Sequence, residues 1–203
     1  MSDAPEPRAF YSETLPEQWN RALREQERRV EAEQRLLEGM RGVNATLCVQ
    51  VEGETFHLNV EKGSLSTGDE ARHSPVLSLV QERRDFERLM RDAGDSPLGF
   101  LGVLSGLAGE MKLTASRMEG LRRLSGAIRF EVTGDDGFRL LTRFGDAEAG
   151  CEPDTTIRIA PEVYADLQAG RLDPQNAFMT GRIEVEGDMQ LAMQLALAVM
   201  APE

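Results

Sequence analysis

The chain has 203 residues, 40% hydrophobic and 29% charged, an ordinary composition for a folded protein with a sizeable core. A formal charge of −12 and a pI near 4.8 argue against nucleic acid or an anionic membrane surface as the main partner. With only Cys48 and Cys151, and no apolar run near the roughly 20 residues of a membrane span, no disulfide framework, cysteine metal site or transmembrane segment is indicated, and the cytoplasm is the expected compartment.

The opening "MSDAPEPR" is acidic and proline-containing, unlike a signal peptide, and residues 1–13 are expected to lack fixed structure. Thr14-Leu-Pro-Glu17 has the spacing of a capping box. It opens a charge-rich amphipathic helix over 14–39, with Leu15, Trp19, Leu23, Val30 and Leu37 along one stripe. Such a seam can dock on its own domain or pair with a second copy, which leaves a homodimer open.

Two alternating runs follow. "TLCVQV" puts Leu47, Val49 and Val51 on one face, "TFHLNV" does the same with Phe56, Leu58 and Val60, and Glu52-Gly53-Glu54 turns between them as a hairpin. A polar loop is expected from Glu61 to Pro75, then a strand at "VLSLV" and a helix at "ERRDFERLM". An apolar, glycine-rich stretch, "LGFLGVLSGLAG", leads into a helix over Glu110–Leu124.

The pattern then restarts. "AIRFEV" and "FRLLTRF" form a hairpin around "GDDG", "TTIRIA" reads as a strand, and "PEVYADLQAG" as a helix opened by Pro161 and closed by Gly170. A spacing of 78 separates Leu79 from Ile157, Leu89 from Leu167, Asp95 from Asp173, Phe100 from Phe178, Gly109 from Gly187 and Met111 from Met189. Gly42 and Gly126 differ by 84, which implies about six extra loop residues in the first set. The expected organisation is two copies of one unit, 40–118 and 119–203.

Residues 181–200 read "GRIEVEGDMQLAMQLALAVM". Ile183 and Val185 alternate with charged residues, Gly187 breaks the strand and Asp188 caps a helix. In that helix only Gln190 and Gln194 are polar between Met189 and Met200. One apolar stripe can cover a sheet; the methionine stripe needs core, a partner or an apolar ligand, and methionine suits surfaces that accept varied shapes.

The segment "LQAGRLDPQNAFMTGRIEVEGDMQLAMQL" resembles the C-terminal signature of the sterol carrier protein 2 (SCP2) domain. A helix ends near Gly170, a Pro-Gln turn precedes Ala177-Phe178-Met179, and a Gly-basic pair starts a strand running into Gly-Asp-Met. Arg182 stands where a lysine is common in the family. The first copy departs further, with Ser96-Pro97 in place of Pro174-Gln175 and Val103-Leu104 in place of Gly181-Arg182.

The resemblance implies an α+β, SCP2-like fold: a five-stranded, largely antiparallel sheet covered by helices, here duplicated, with an apolar tunnel between sheet and helices. It implies non-enzymatic binding, transfer or presentation of a fatty acyl, isoprenoid or sterol-like lipid, without cofactor or metal, through transient contact with membranes or lipid enzymes. The arginine bias (only Lys62 and Lys112 are lysine) hints at a GC-rich, bacterial source. Candidate lipid-binding residues are Phe130, Leu140, Phe178, Met179, Ile183, Met189 and Met193, with Gln175 as the polar group near the entrance. The competing reading is an accessory or scaffold protein of a lipid or quinone pathway, its tunnel closed by side chains.

Residues that would signal an enzyme are sparse. His57 and His73 lack metal-ligand spacing, "GDDG" between strands reads as a turn, and Glu110 and Asp188 are each explained as carboxylates at a helix start. No nucleophile elbow or phosphate-binding glycine loop is present in the sequence.

Overall fold

The computed structural model describes residues 5–28, 30–93, 112–147, 150 and 152–199. Eight described strands form one mixed sheet: β1 (Ala45–Val51), β2 (Glu54–Glu61), β3 (Ser64–Gly68), β4 (Pro75–Gln81), β5 (Gly126–Val132), β6 (Phe138–Phe144), β7 (Thr155–Ile159) and β8 (Ile183–Gly187). Their order across the sheet is β3-β2-β1-β4-β6-β5-β7-β8. The expected five-stranded sheet is thus replaced by a single eight-stranded one. It remains largely antiparallel, with β1·β4 and β5·β7 as the parallel pairs.

The sheet has two halves with a shared pattern. In each, an antiparallel hairpin is followed by a strand parallel to the hairpin's first strand: β1, β2 and β4, then β5, β6 and β7. The pairing register puts Phe56, Val49 and Leu79 side by side in the first half, and Leu140, Phe130 and Ile157 side by side in the second. Leu79 and Ile157 keep the spacing of 78, whereas Val49 and Phe130 are 81 apart and Phe56 and Leu140 are 84 apart. The offset grows because the tight Glu52-Gly53 turn, with φ of 52° and 82°, is matched by a longer Thr133–Gly137 connection. It then falls by six where the first half inserts β3.

That insertion corrects the polar loop expected from Glu61 to Pro75. Lys62 and Gly63, both at positive φ, make a second tight turn, and β3 returns along β2. Its sequence, "SLSTG", carries too little apolar alternation to announce a strand. The halves join where β4 pairs antiparallel with β6 over Leu77–Val80 and Leu141–Phe144. The first-copy segment bearing Asp95, Phe100, Gly109 and Met111 lies outside the described residues.

The N-terminus also differs from expectation. Residues 7–14 are helical, as α1 (Pro7–Ala9) and a π-helical turn (Phe10–Thr14), running directly into α2 (Leu15–Arg28). Phe10 and Tyr11 are among the largest fully buried side chains. Thr14 therefore lies inside a helix rather than capping one. Pro16, in a helix interior, has no N–H to offer Ser12 and its ring crowds the preceding turn. The wider π turn accommodates it, and the Ser12 carbonyl instead accepts from the Thr67 hydroxyl at 3.4 Å. The helix expected over 14–39 is two: α3 (Val30–Arg41) folds back on α2, joined by the Arg41–Glu27 ion pair at 2.6 Å and a small cluster of Leu23, Leu37 and Met40.

Five further described helices follow: α4 (Arg83–Ala93), α5 (Ala115–Arg122), α6 (Pro161–Gln168), α7 (Pro174–Met179) and α8 (Met189–Val199). The two sheet faces are unlike. One carries Leu47, Val49, Val51, Ile128, Phe130 and Val132 toward the helices and the main core. In the second half the other carries a charge ladder in which Glu131 meets Arg139 at 3.0 Å and Arg158 at 3.4 Å, while Arg158 also pairs with Glu186. Where α5 and α8 meet, a Cβ on Gly120 would lie 3.2 Å from that of Ala198, so glycine permits the close approach of the two helices.

Candidate functional site

In the second half the strand register lays apolar side chains in rows on the helix-facing side. Phe138, Val132, Ile159 and Ile183 form one row; Leu140, Phe130, Ile157 and Val185 form the next. Helix α6 closes one end of these rows, with Tyr164 edge-on to Phe138 at 5.4 Å between ring centroids. Burial, with the Asp92 carboxylate beside it, holds the Tyr164 phenol well above its ordinary pKa, so it stays neutral. Helix α8 closes the other end, where Leu191 packs at Gly126.

Asp188 starts α8 as expected, its carboxylate accepting from the Gln190 and Leu191 backbone N–H groups at 2.8 and 3.1 Å. Asp173 caps α7 in the same way, accepting from Asn176 N–H at 2.9 Å. The Pro-Gln segment is therefore the first turn of a short helix rather than a loop turn. Both helices contact β8, the edge strand.

Between these closed ends the described helices cover the sheet incompletely. Phe130, Ile157, Ile183 and Val185 are half-buried, and Leu172 and Leu195, also half-buried, pack against the same core. Phe178 and Met179 on α7 are 41% and 76% exposed, and Met189, Met193 and Leu197 on α8 are 43%, 56% and 72% exposed. Leu191, Ala198 and Val199 take the buried side of α8, so the methionine stripe lies on the side turned from the sheet. Of the expected wall residues, Phe130 and Ile183 thus sit on the floor of an open apolar trough. Leu140 is fully buried behind it, Gln175 is exposed at the start of α7, and Phe178, Met179, Met189 and Met193 stand at the surface.

Sequence reasoning did not assign Ile157, Val185, Leu172 or Leu195 to the site. The signal was the alternation in β7 and β8, which becomes a site only once the register aligns Phe130, Ile157 and Val185.

The described cavity, of about 470 Å³, is not the expected tunnel. It is a polar cleft where β4 ends and β6 continues, lined by Gln81, Arg84, Asp85, Arg129, Glu131 and Arg139 among others. Asp85 accepts from Arg139 N–H there at 3.0 Å, and burial pushes its carboxyl up from the usual range. Cys48 lies on the sheet face away from the core beside Ser78 and Arg143, and burial pushes its thiol up as well, which keeps it a poor nucleophile. His57 pairs across the strands from Cys48. Cys151 and Glu110 lie outside the described residues. Among the described residues no group of three or more His, Cys, Asp or Glu could hold a metal ion, and no helix is long and apolar enough to cross a membrane.

Known proteins resemble the half that bears this trough. Residues 107–199 match the model of the SCP-2 sterol transfer family. Sterol carrier protein 2 of Rattus norvegicus is 29% identical over 103 residues, which cover 46% of this chain and 19% of that protein. Hydroxysteroid dehydrogenase-like protein 2 of the same species is 27% identical over 84 residues, covering 38% and 16%. The chain thus spans about a fifth or less of the length of these curated relatives. Among solved structures, a UbiJ-SCP2 ubiquinone synthesis protein aligns with a TM-score of 0.32 at 23% identity, covering 50% of this chain and 90% of that one. Palmitated SCP2L2 from Aedes aegypti aligns at 0.32 and 22% identity, covering 39% and 76%.

Proposed function

We propose that the C-terminal half binds one long apolar molecule, such as a fatty acyl or isoprenoid chain, and carries or presents it without chemical change. One observation bears most of the weight: half-buried Phe130, Ile157, Ile183 and Val185 lie beneath an incomplete helix cover, inside the stretch that matches a sterol transfer family. The bound chain would lie along these four residues. Phe178, Met179, Met189 and Met193 form the rim over which it enters, and Gln175 is the polar group on that rim. Hydrocarbon burial contributes roughly 25 cal/mol per Å², so an alkyl chain needs few polar contacts to stay bound. The similar strand patterns and the spacing of 78 support descent of both halves from one duplicated unit.

Native mass spectrometry of the purified chain with palmitate and a polyprenyl probe tests this reading. Retention of one probe, lost on Phe130→Asp or Ile183→Asp in a folded variant, is the expected result. The exposed rim also suits a scaffold that docks a lipid enzyme; a chain that takes up neither probe would leave that reading in its place.

A further inference from the structure

The row Phe56–Val49–Leu79 in the first half holds the same sheet position as Leu140–Phe130–Ile157 in the second, yet all three of its members are buried. Part of that cover comes from the N-terminal segment, which lies against β2 and β3, while α5 packs on β4. The Tyr11 ring lies 5.2 Å from that of Phe56, and Phe10 and Phe86 close around it at 5.0 and 5.7 Å. Gln81, the counterpart of Ile159, is a buried polar residue on the helix-facing side, and its amide donates to the Tyr11 hydroxyl at 2.6 Å. The segment thus lays an apolar body along the sheet and a hydroxyl against a buried amide, the two features a lipid with a polar end would present.

Its other attachments run around the perimeter. Arg83 grips Glu6 through two 3.0 Å bonds, the Trp19 indole donates to Gly63 carbonyl at 2.5 Å, and Asn20 exchanges hydrogen bonds with the Leu65 backbone at 3.1 and 3.3 Å. Most of these attachments join the segment to β2, β3 and their turn or to the start of α4. The helix hairpin that continues it has its own small cluster, separate from the main core.

We propose that residues 7–28 are a built-in occupant of a second apolar site, the first half's counterpart of the trough, and that this site accepts an aliphatic chain when the segment swings away. The inference rests on the proposed lipid binding for its class of ligand. The chain would then have one site always open and one opened only by displacing its own N-terminal helix.

Trp19, the single tryptophan of the chain, reports the segment's position directly. The test adds palmitate to the full chain and to the full-length Tyr11→Ala and Arg83→Ala variants, counting bound palmitate by native mass spectrometry and following acrylamide quenching of Trp19. Tyr11→Ala should bind one palmitate more than the unaltered chain, with a rise in Trp19 quenching as the additional molecule binds. Arg83→Ala, which removes the Glu6 anchor without carving the core, should show that rise at lower palmitate than the unaltered chain. A folded Tyr11→Ala chain that binds no additional palmitate overturns the inference; if that variant does not fold, Trp19 quenching unaltered by palmitate in Arg83→Ala overturns it. An unaltered chain that binds none beside a Tyr11→Ala chain that binds one would sink the open trough and leave the second site standing.

Discussion

The two halves of the sheet use one strand pattern and finish it differently. In the first, Tyr11, Phe10, Leu15 and Trp19 complete the core over Val49, Phe56 and Leu79, and little apolar surface is left. In the second, α6 and α8 cover the ends of the rows and leave Phe130, Ile157 and Val185 half-buried. The same sheet positions can thus be solid protein core or a surface short of cover. Much of the difference lies in residues 7–28, which belong to neither set of strands and lie against β2 and β3.

Substitutions should separate the halves by size of effect. Tyr11→Ala should destabilise the fold by about 3–5 kcal/mol in urea denaturation, as large-to-small changes in packed cores do, whereas Met193→Ala on the exposed stripe should stay within ~0.5 kcal/mol. Equal costs at the two positions would mean that Met193 is covered in solution.

Next in size is Gly120→Val. The added side chain forces α5 and α8 apart at Ala198, with an expected cost of ~1–3 kcal/mol and greater hydrogen exchange in α8 than in α2. Phe178→Asp should leave the melting temperature nearly unchanged and weaken palmitate about tenfold, about 1.4 kcal/mol, by placing a charge on the rim. No loss of affinity would move the entrance elsewhere.

The smallest effect concerns pH. The Arg83 guanidinium beside it holds the Glu6 carboxyl below its usual 4.5. A group whose pKa is lowered by folding contributes above the unfolded value and loses that contribution as pH falls through the folded one. Trp19 quenching should therefore be flat above pH 4.5 and rise only below it, and Glu6→Gln should abolish that step.

Much of this contrast was legible in the residues, and the illegible part has physical causes. Alternation located seven of the eight strands, because half-buried strands announce their inner face; β3 escaped because its five residues include one buried apolar side chain. The N-terminal segment misled through composition. Charges and two prolines suggested no structure, while the buried Phe10-Tyr11 pair depends on a π turn around Pro16 that periodicity at 3.6 does not describe. The dry last helix was read correctly as apolar, but its methionines turn from the sheet, since Leu191, Leu195 and Val199 form the stripe that packs inward. The floor of the trough is a product of register across three strands, and register between distant strands is not written in any one of them.

A photoreactive palmitate, cross-linked at one equivalent to the full chain and mapped by peptide mass spectrometry, tests most directly whether the open apolar face lies in the second half alone. The account predicts labels confined to β5, β7 and the stretch from Pro174 to Val199. Labels on β1, β2 or β4 at that loading, or labels spread without preference, would contradict it.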